Sequence, residues 1–424
     1  MLTTEENELL CRVGPGTPMG EVFRRYWMPA LVSSEIPEPD CPPVRVKLLG
    51  EDLIAFRDTE GRVGLIAEKC AHRRASLFFG RNEEGGLRCV YHGWKYDLNG
   101  NIVETPVEPP ESMIRHHVKQ RAYPCREVNG LIYAYMGPKE EMPLLPELPW
   151  ITLPQEQVYI RHKMINECNW LQTQEGNVDS THSGFLHARA NAPGAVRRYR
   201  NQNNAPEMDL EPTRWGVRAL VRYPAEDGQA FLRTNTFIMP VYTALPNAGT
   251  FDGKLDGFTV NTEVPMDDFT TRRFFISIQR THPIDRRDWD SNETFLTPDG
   301  RKVLTKANDY RIDREKQRTK AVYSGIDASA PFQDAAMTET MGAIADRENE
   351  HLGVTDTQVV ALRRYYLDAI KLHQQGKPLP GLAWDVEDDN SYDDLYMVSG
   401  LIKTDRDWQS QVPDVTTHQL AGVR

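Results

Sequence analysis

The chain lacks the marks of several protein classes. It has no run of 18 consecutive apolar residues, no low-complexity tract and no internal repeat, and the segment from Met1 to Glu8 is acidic where a secretory signal is basic. Its 424 residues include only six cysteines, which are too few for a disulfide scaffold. We therefore expect a soluble, cytoplasmic protein that has no membrane segment.

Positive charge is also in short supply. The chain carries 50 Lys and Arg against 61 Asp and Glu, a formal net charge of -11. This balance removes the electrostatic footprint of a general nucleic-acid binder, so an anionic ligand would need a local basic pocket. With 39% hydrophobic and 26% charged residues, the composition is that of a globular protein. The length of 424 residues predicts two or three domains.

The first third of the chain has the pattern of an all-β domain. Short β-rich runs between Val44 and Tyr135 are separated by turn residues such as Asn99-Gly100, a strong hairpin signal. The proline-rich run Met142–Pro149 cannot form a helix interior and is expected to be a linker. The β domain is thus predicted over residues 41–150, with residues 1–40 as a helical extension attached to it.

Residues 151–424 are predicted to form an α+β domain. A helical pattern surrounds Asn169–Ala190, four strand-like runs follow between Val217 and Gln279, and a helix-rich stretch covers Arg301–Gln375. The polar tail after Trp408 is expected to be loosely held.

Two short segments of the β domain pair a cysteine with a histidine. Cys70-Ala-His72 and Cys89-Val-Tyr-His92 are separated by 16 residues, and each offers one thiolate and one imidazole. Two Cys and two His could bind a tetrahedral zinc ion or a [2Fe–2S] cluster in which two histidines replace two cysteines on one iron. A Cys/His pair from each of two loops favours the binuclear cluster, with both thiolates on one iron and both imidazoles on the other.

A second group of candidate ligands lies in the predicted helical stretch, in the pattern Asp179-x₂-His182-x₄-His187. Asp179 and His182 are three residues apart and are expected to share a helix face. His182 and His187 are five apart, so convergence on one ion needs a wide or broken turn, for which Gly184 is a plausible place. Two imidazoles and a carboxylate, with open positions, form the facial triad of non-haem Fe(II) oxygenases.

The residues around these ligands resemble a known family. Cys70–Leu77 and Cys89–Tyr96 resemble the two cluster-binding loops of the Rieske non-haem iron ring-hydroxylating oxygenases, although Ala71 stands where the family often has proline. Asn166–His187 is similar to the mononuclear-iron motif of the same family. The resemblance extends from Gly14 to the stretch around Asp346, and it is greatest to the oxygenase components of phthalate and related aryl-carboxylate dioxygenases.

The resemblance implies an N-terminal all-β Rieske [2Fe–2S] domain and a catalytic α+β domain of the helix-grip (START-like) type, built on an antiparallel sheet. It makes His182 and His187 ligands of a mononuclear Fe(II), whereas Asp179 bridges His182 to a cluster histidine of the neighbouring subunit. The cluster ligands it implies are Cys70, His72, Cys89 and His92.

The third iron ligand is expected to be a carboxylate from the helical C-terminal region. Phe332-Gln-Asp334 resembles the family segment that supplies it, so we predict Asp334. The rival is Asp346, but we interpret Asp346-Arg347 as a structural ion pair.

Arginines of the catalytic sheet are the candidates for substrate binding. Alternation along Val217–Arg222 puts Arg218 and Arg222 on one face, and Arg233 lies on another strand. A guanidinium that faces the cavity would hold an aromatic carboxylate through two parallel hydrogen bonds. We predict this role for Arg218 and Arg233; the alternative is that these arginines face solvent.

The resemblance implies a terminal oxygenase that uses O₂ to convert a phthalate- or benzoate-like carboxylate to a cis-dihydrodiol. The alternatives are a Rieske monooxygenase that demethylates or cleaves a diaryl ether, and a non-catalytic zinc- and ligand-binding protein. No ferredoxin-type Cys-x₄-Cys-x₂-Cys run and no Gly-x-Gly-x-x-Gly after a strand occurs. Electrons are therefore expected from a separate NAD(P)H-dependent flavin/ferredoxin reductase, and head-to-tail packing is expected to give a homotrimer or stacked trimers.

Overall fold

The computed structural model describes residues 1–190, 205–246, 257–284, 295–385 and 387–411. Most of the tail that was expected to be loosely held lies outside these residues. The chain divides into two compact units. The β unit contains Val13–Leu145 and Val264–Asp267, and the α+β unit contains Met1–Arg12, Pro146–Glu263 and Asp268–Arg424.

These units differ from the predicted segments at the N-terminus. The first twelve residues belong to the α+β unit, although the extension over residues 1–40 was expected to join the β domain. The reason is a set of long-range hydrogen bonds: Asn169 donates to the Cys11 carbonyl, and Arg347 donates to the side chain of Asn7. Only the residues from Val13 onward pack with the β unit.

The helices of the described residues are short except for one of 18 residues near the C-terminus. In chain order they are α1 (Thr4–Cys11), α2 (Pro18–Arg24), α3 (Ile114–His117), α4 (Pro149–Thr152), α5 (Trp170–Val178), α6 (Ser183–Leu186), α7 (Arg314–Arg318), α8 (Ala330–Thr340) and α9 (Thr357–Gln374).

Strands are the main regular structure of the β unit, and they form the sheet of the α+β unit. They are β1 (Trp27–Val32), β2 (Val44–Leu48), β3 (Glu51–Arg57), β4 (Val63–Ala67), β5 (Arg81–Glu83), β6 (Gly86–Arg88), β7 (Lys95–Tyr96), β8 (Ile102–Glu104), β9 (Ala122–Tyr123), β10 (Cys125–Val128), β11 (Leu131–Tyr135), β12 (Val158–Asn166), β13 (Glu207–Pro212), β14 (Gly216–Pro224), β15 (Gln229–Ile238), β16 (Tyr242–Pro246), β17 (Gly257–Pro265), β18 (Thr271–Gln279) and β19 (Ser399–Lys403).

Three antiparallel sheets form the β unit. Their strand orders are β1-β11-β10, β2-β3-β4-β9 and β5-β6-β7-β8. Asn99-Gly100 lies in the turn between β7 and β8, where the hairpin signal predicted it. Phe56, Leu87 and Tyr96 pack in one buried cluster that also contains Cys70 and Cys89, so the candidate thiol ligands belong to the core of this unit.

The α+β unit is built on an eight-stranded antiparallel sheet. Its strands run in the order β12-β18-β17-β16-β15-β14-β13, and β19 pairs with β15. Helix α9 packs on this sheet through Tyr366, whose hydroxyl donates to the Pro240 carbonyl and whose ring lies 5.1 Å from that of Phe237. Gln358 of the same helix donates to the Asn235 carbonyl of β15. The predicted α+β class is confirmed, with helices packed on an antiparallel sheet.

None of the helices in the described part of the chain combines the length and the apolar character needed to cross a lipid bilayer.

Two candidate metal centres

The two Cys/His loops of the β unit share one backbone pattern. In each loop the cysteine N–H donates to the carbonyl five residues later, and the N–H four residues after the cysteine donates to the cysteine carbonyl. The bonds are Cys70 to Ala75 and Cys89 to Trp94, each 2.8 Å, and Arg74 to Cys70 and Gly93 to Cys89, each 2.9 Å. Matching loops therefore present the two cysteines in the same way, whereas the histidine follows its cysteine by two residues in the first loop and by three in the second.

The fourth residue after each cysteine is left-handed. Arg74 has a φ of 65° and Gly93 a φ of 75°. A Cβ atom at Gly93 would lie 2.6 Å from Cγ of Pro106, so the second loop accepts only glycine at this position. The first loop instead tolerates an arginine there, at a backbone cost of about 1–2 kcal/mol.

The four candidate cluster ligands separate into an inner and an outer pair. The sulfurs of Cys70 and Cys89 are buried in the core, and the Tyr96 hydroxyl lies 3.0 Å from the Cys70 Sγ. The imidazoles of His72 and His92 are only partly buried, and their ring centroids are 4.6 Å apart. The His72 ring also stacks on Trp94 at 4.5 Å, with an interplanar angle of 8°.

This arrangement suits a binuclear cluster better than a single tetrahedral ion. Four ligands of one zinc ion, bound at about 2.0–2.3 Å, would all lie within about 4 Å of one another. No three of these four donor atoms lie within 4.8 Å of one another. Among the described residues, this criterion is met by three donor atoms of the α+β unit, which are described below. Two thiolates on one iron and two imidazoles on the other would satisfy the separation.

Protonation also suits this assignment of the outer pair. Burial, followed by the charges of His72 and Arg73, lowers the pKa of His92, so its imidazole stays neutral and keeps a lone pair. Burial raises the pKa of the Cys89 thiol, and a bound iron ion would oppose this shift by stabilising the thiolate.

The second centre is built at a break between two helices of the α+β unit. Helix α5 begins after Asn169, whose side chain accepts from the Leu171 N–H, and it ends at Val178. The carboxylate of Asp179 then accepts from both the N–H and the hydroxyl of Thr181, each at 2.7 Å. Such a side-chain turn competes with helix continuation, so Asp179 and His182 do not share a helix face as predicted.

The break brings the two histidines together. His182 and His187 flank the four-residue helix α6, and their Nε2 atoms are 3.2 Å apart. The helix is interrupted at residues 179–182, whereas the sequence pattern predicts the interruption at Gly184. The prediction that convergence requires a broken turn is met, but an aspartate turn produces the break.

A carboxylate from helix α8 completes this group. Asp334 Oδ1 lies 3.1 Å from Nε2 of His187 and 3.5 Å from Nε2 of His182. These three residues form the trio of metal-ligand type found among the described residues. Ligands that bind an octahedral ion at about 2.1 Å are separated by about 3 Å, so the three atoms are spaced as one face of such a site.

The chemistry of these atoms also fits a cation. Asp334 Oδ1 is buried and makes no hydrogen bond. Burial alone would raise the pKa of Asp334, but the adjacent His187 and His182 lower it, so the carboxylate is anionic. An anionic oxygen that faces two imidazole nitrogens is the donor set that non-haem iron binds.

Asp179 lies behind His182. Its Oδ2 atom is 3.3 Å from Nδ1 of His182, on the side of the ring opposite Nε2. Burial opposes ionisation, but the hydrogen bond and charge of His182, together with the bonds from Thr181, lower the pKa of Asp179 to about 2. Asp179 is thus ionised near neutral pH and can orient His182 so that its Nε2 lone pair is directed at a metal.

The rival carboxylate lies elsewhere. Asp346 is exposed, and its side chain accepts from Asn349. The expected ion pair between Asp346 and Arg347 is also corrected: the Arg347 guanidinium is buried and makes two 2.9 Å bonds to Glu175 of helix α5.

Contacts of neighbouring side chains show which face of the sheet is turned toward helix α5. Tyr223 donates to the Ser180 carbonyl at 2.7 Å, and Asn235 donates to the Val178 carbonyl at 3.0 Å. These side chains therefore face helix α5 and the second centre. Arg233 is two residues before Asn235 on β15, so it lies on the same face.

The structure does not bring Arg218 to the second centre. Arg218 pairs with Thr236, which is one residue beyond Asn235, and so it lies on the opposite face of the sheet. There its guanidinium bonds to Glu211, to the Tyr396 hydroxyl and to the Asp394 carbonyl. This corrects the expectation that both arginines face the cavity; the alternating pattern on one strand could not say which face is inside.

Three residues near the second centre carry no sequence signal that singled them out. Gln333 contacts His187, Glu175 holds Arg347 and Arg363, and Asn235 binds the end of helix α5. Gln333 is the neighbour of a predicted ligand, but an amide beside an aspartate is too common to indicate a role. Each contact joins segments that are far apart in the sequence.

Known protein families match both units. Residues 26–124 match the family described as Rieske [2Fe-2S] domain, and residues 134–423 match the family described as LigXa C-terminal domain like. The phthalate 4,5-dioxygenase oxygenase subunit of Pseudomonas putida is 39% identical over 402 residues, which cover 90% of this chain and 89% of that protein. The 3-chlorobenzoate-3,4-dioxygenase oxygenase subunit of Comamonas testosteroni is 36% identical, with coverage of 90% and 91%.

A relative with another activity matches over part of the chain. The 5,5'-dehydrodivanillate O-demethylase oxygenase subunit of Sphingobium sp. (strain NBRC 103272 / SYK-6) is 44% identical over 194 residues, which are 44% of each protein.

Solved structures share the fold. NdmA of Pseudomonas putida CBB5, in a variant solved with theobromine, superposes with a TM-score of 0.60 at 20% identity, covering 84% of this chain and 93% of that one. The oxygenase in its reduced complex with ferredoxin, from carbazole 1,9a-dioxygenase, gives a TM-score of 0.57 at 18% identity, with coverage of 86% and 93%. By its two matching domains and its near-full-length relatives, the chain belongs to the Rieske non-haem iron aromatic oxygenases, which carry a [2Fe–2S] cluster and a mononuclear iron.

Proposed function

We propose that the chain is the terminal oxygenase component of a dioxygenase that acts on an aromatic carboxylate and forms a cis-dihydrodiol. The observation that carries the proposal is the near-full-length similarity to oxygenase subunits whose names give phthalate and 3-chlorobenzoate as substrates. Both molecules are aryl carboxylates, which makes this substrate class the one to test first.

The ligand assignments follow the two donor sets. We assign the cluster to Cys70, His72, Cys89 and His92, and the mononuclear iron to His182, His187 and Asp334. When bound, the cluster supplies single electrons and the iron supplies a centre at which O₂ meets the substrate. Asp179 orients His182 through the Nδ1 contact, and its second partner is proposed to be a cluster histidine of a neighbouring subunit.

Arg233 is the proposed contact for the substrate carboxylate. Its side chain is buried on the sheet face that carries Tyr223 and Asn235, the residues bonded to the end of helix α5. A guanidinium there would place a carboxylate on the same side of the sheet as His182. In a chain whose net charge is -11, such a local cation is needed to attract an anionic ring.

Electrons are proposed to come from a separate reductase. The sequence has neither a ferredoxin-type cysteine run nor a nucleotide-binding glycine motif, so this chain would receive electrons at its cluster. The bridging role of Asp179 requires a head-to-tail ring of subunits, which we propose to be a trimer or a pair of stacked trimers.

The decisive experiment is turnover with a reductase, NAD(P)H and ¹⁸O₂ across a panel of phthalates and benzoates. The expected product is a cis-dihydrodiol that carries two labelled oxygens. One labelled oxygen would instead indicate monooxygenation. If the iron-loaded protein turned over none of the carboxylates, aryl carboxylates would be excluded as the substrate class. The uncharged methyl esters of the same acids are the matched substrate controls, and they are expected to react poorly.

O-demethylation is the second candidate, because a 44% identical segment belongs to an O-demethylase subunit. The same ligands would serve both reactions. Adding methoxybenzoates to the panel separates the two: a demethylase would release formaldehyde and incorporate one labelled oxygen.

A further inference from the structure

The two imidazoles of the second centre are supported from behind by different groups. Asp179 contacts Nδ1 of His182, whereas Nδ1 of His187 lies 2.7 Å from Oε1 of Gln333. Gln333 precedes the ligand Asp334 on helix α8, and its side chain is 1% exposed. One histidine therefore rests on a carboxylate and the other on a neutral amide.

The orientation of the Gln333 amide is fixed by chemistry. At the far end of the amide, Nε2 donates to the Ile326 carbonyl at 2.8 Å. A carbonyl oxygen can only accept, so the amide nitrogen must face Ile326 and the amide oxygen must face His187. The amide cannot turn over without placing two carbonyl oxygens against each other in a buried place.

This orientation determines which nitrogen of His187 carries the proton. An amide oxygen accepts and cannot donate, so Nδ1 of His187 must carry the hydrogen. The neutral ring then has its lone pair on Nε2, the atom 3.1 Å from Asp334 Oδ1 and 3.2 Å from Nε2 of His182. Gln333 thus directs the lone pair of His187 into the centre of the trio.

We infer that Gln333 is a positioning residue of the mononuclear metal site, which fixes the tautomer and the ring orientation of His187. The inference rests on the proposed function, because it takes His182, His187 and Asp334 as the ligands. A partner of this kind behind a metal-bound histidine typically changes metal affinity by about 10–100-fold.

The test compares three variants of the full-length protein with its cluster intact. Gln333→Met removes the acceptor and keeps the length of the side chain. Gln333→Glu keeps an acceptor oxygen facing Nδ1 and, with its other oxygen protonated, keeps a donor to the Ile326 carbonyl. Gln358→Met is the matched control, because Gln358 is also buried and also donates to a backbone carbonyl in the same unit. Fe(II) is titrated into each protein, and the nitric oxide complex of the bound iron is recorded by electron paramagnetic resonance.

Gln333→Met is expected to bind Fe(II) about 10–100-fold more weakly and to change the line shape of the nitrosyl signal. Gln333→Glu is expected to recover most of the affinity, and Gln358→Met should bind like the wild type. The inference is overturned if Gln333→Met binds Fe(II) like the wild type, if Met and Glu are equally weak, or if the Gln358→Met control loses as much.

A different variant tests the ligand assignment on which the proposed function depends. If Asp334→Ala still binds Fe(II) with wild-type affinity, the ligand assignment itself is wrong. If Asp334→Ala loses the metal while Gln333→Met keeps it, only the positioning role is lost.

Discussion

The two candidate centres are assembled in opposite ways. Every proposed ligand of the cluster lies between Cys70 and His92, in two loops with one backbone pattern. The proposed iron ligands His182 and Asp334 are 152 positions apart and meet only because helix α8 packs beside the break after α5. A centre made by local turns can be predicted from spacing, whereas one made by helix packing depends on the whole unit.

The largest expected effect separates the two centres directly. Asp334→Ala removes one of the three donor atoms, so Fe(II) affinity should fall more than about 100-fold, beyond the usual loss for an outer partner. Turnover should be lost, while the visible absorption and the reduced spectrum of the cluster stay unchanged. Iron and acid-labile sulfide analysis measures both centres in one sample.

Two controls accompany this prediction. Asp346→Ala removes the exposed rival carboxylate and should leave Fe(II) binding as in the wild type. Cys89→Ser should abolish the cluster signal and leave Fe(II) titration of the other centre intact. Loss of both metals in either Asp334→Ala or Cys89→Ser would show that the two centres are not independent.

The next prediction concerns a buried ion-pair network around helix α5, next to the second centre. Glu175 of helix α5 bonds to the buried guanidiniums of Arg347 and Arg363, and Glu175→Gln would leave two buried positive charges short of a partner. We expect a loss of about 3–5 kcal/mol in the free energy of unfolding. Urea denaturation followed by circular dichroism measures it, and Glu315→Gln in the exposed pair with Arg318 is the control that should change little.

The same pair predicts a pH dependence. Burial would raise the pKa of Glu175, but Arg347 and Arg363 lower it below the ordinary value. A carboxyl group whose pKa is lowered on folding stabilises the fold above its ordinary pKa, and this stability is lost as the pH falls through the lowered value. The wild type should therefore lose more stability than Glu175→Gln between pH 7 and acidic pH; equal losses would contradict the assignment.

A smaller effect is expected behind His182. Asp179→Asn keeps the shape and an acceptor oxygen but removes the negative charge, whose pKa of about 2 keeps it ionised. We expect turnover to fall about 100-fold and Fe(II) affinity to fall less than that. Steady-state rates and Fe(II) titration on the same preparation give both values. If turnover and Fe(II) affinity fell by the same factor, the role of Asp179 would be limited to orienting His182 for metal binding.

The smallest effect tests the two faces of the sheet. Arg233→Met should raise KM for an aryl carboxylate about 10-fold, the equivalent of about 1.4 kcal/mol, with kcat changed less. Arg218→Met should leave KM unchanged, because this guanidinium bonds to Glu211 and Tyr396 on the other face. If Arg218→Met raised KM and Arg233→Met did not, Arg218 rather than Arg233 would be the contact for the substrate carboxylate.

Much of the fold follows from local patterns in the sequence. Alternation predicted strands such as β14 and β15, and the residues Asn99-Gly100 predicted the turn between β7 and β8, because both signals arise between near neighbours. The N-terminal helix was assigned to the wrong unit for the converse reason. Its position depends on bonds from Asn169 and Arg347, which lie more than a hundred residues away.

The candidate sites divide in the same way. Sequence reasoning proposed the Cys/His loops and both histidines, and by resemblance Asp334; the structure brings His182, His187 and Asp334 together. It could not decide which face of β14 is inside, and it could not find Gln333, whose partners Ile326 and His187 come together only in the folded unit. Local spacing carries ligand identity, whereas orientation and support are properties of packing.

Gln333 and Asp334 are consecutive residues of helix α8, and this has a consequence for assembly of the site. An α-helix turns by about 100° per residue, so a slip of one position would withdraw the carboxylate and the amide together. With Asp334 as the proposed ligand, iron would bind only to molecules in which this helix has the correct register, and by binding it would stabilise them over the others. The proposed iron site would therefore favour the correct folding of α8 in addition to serving the reaction.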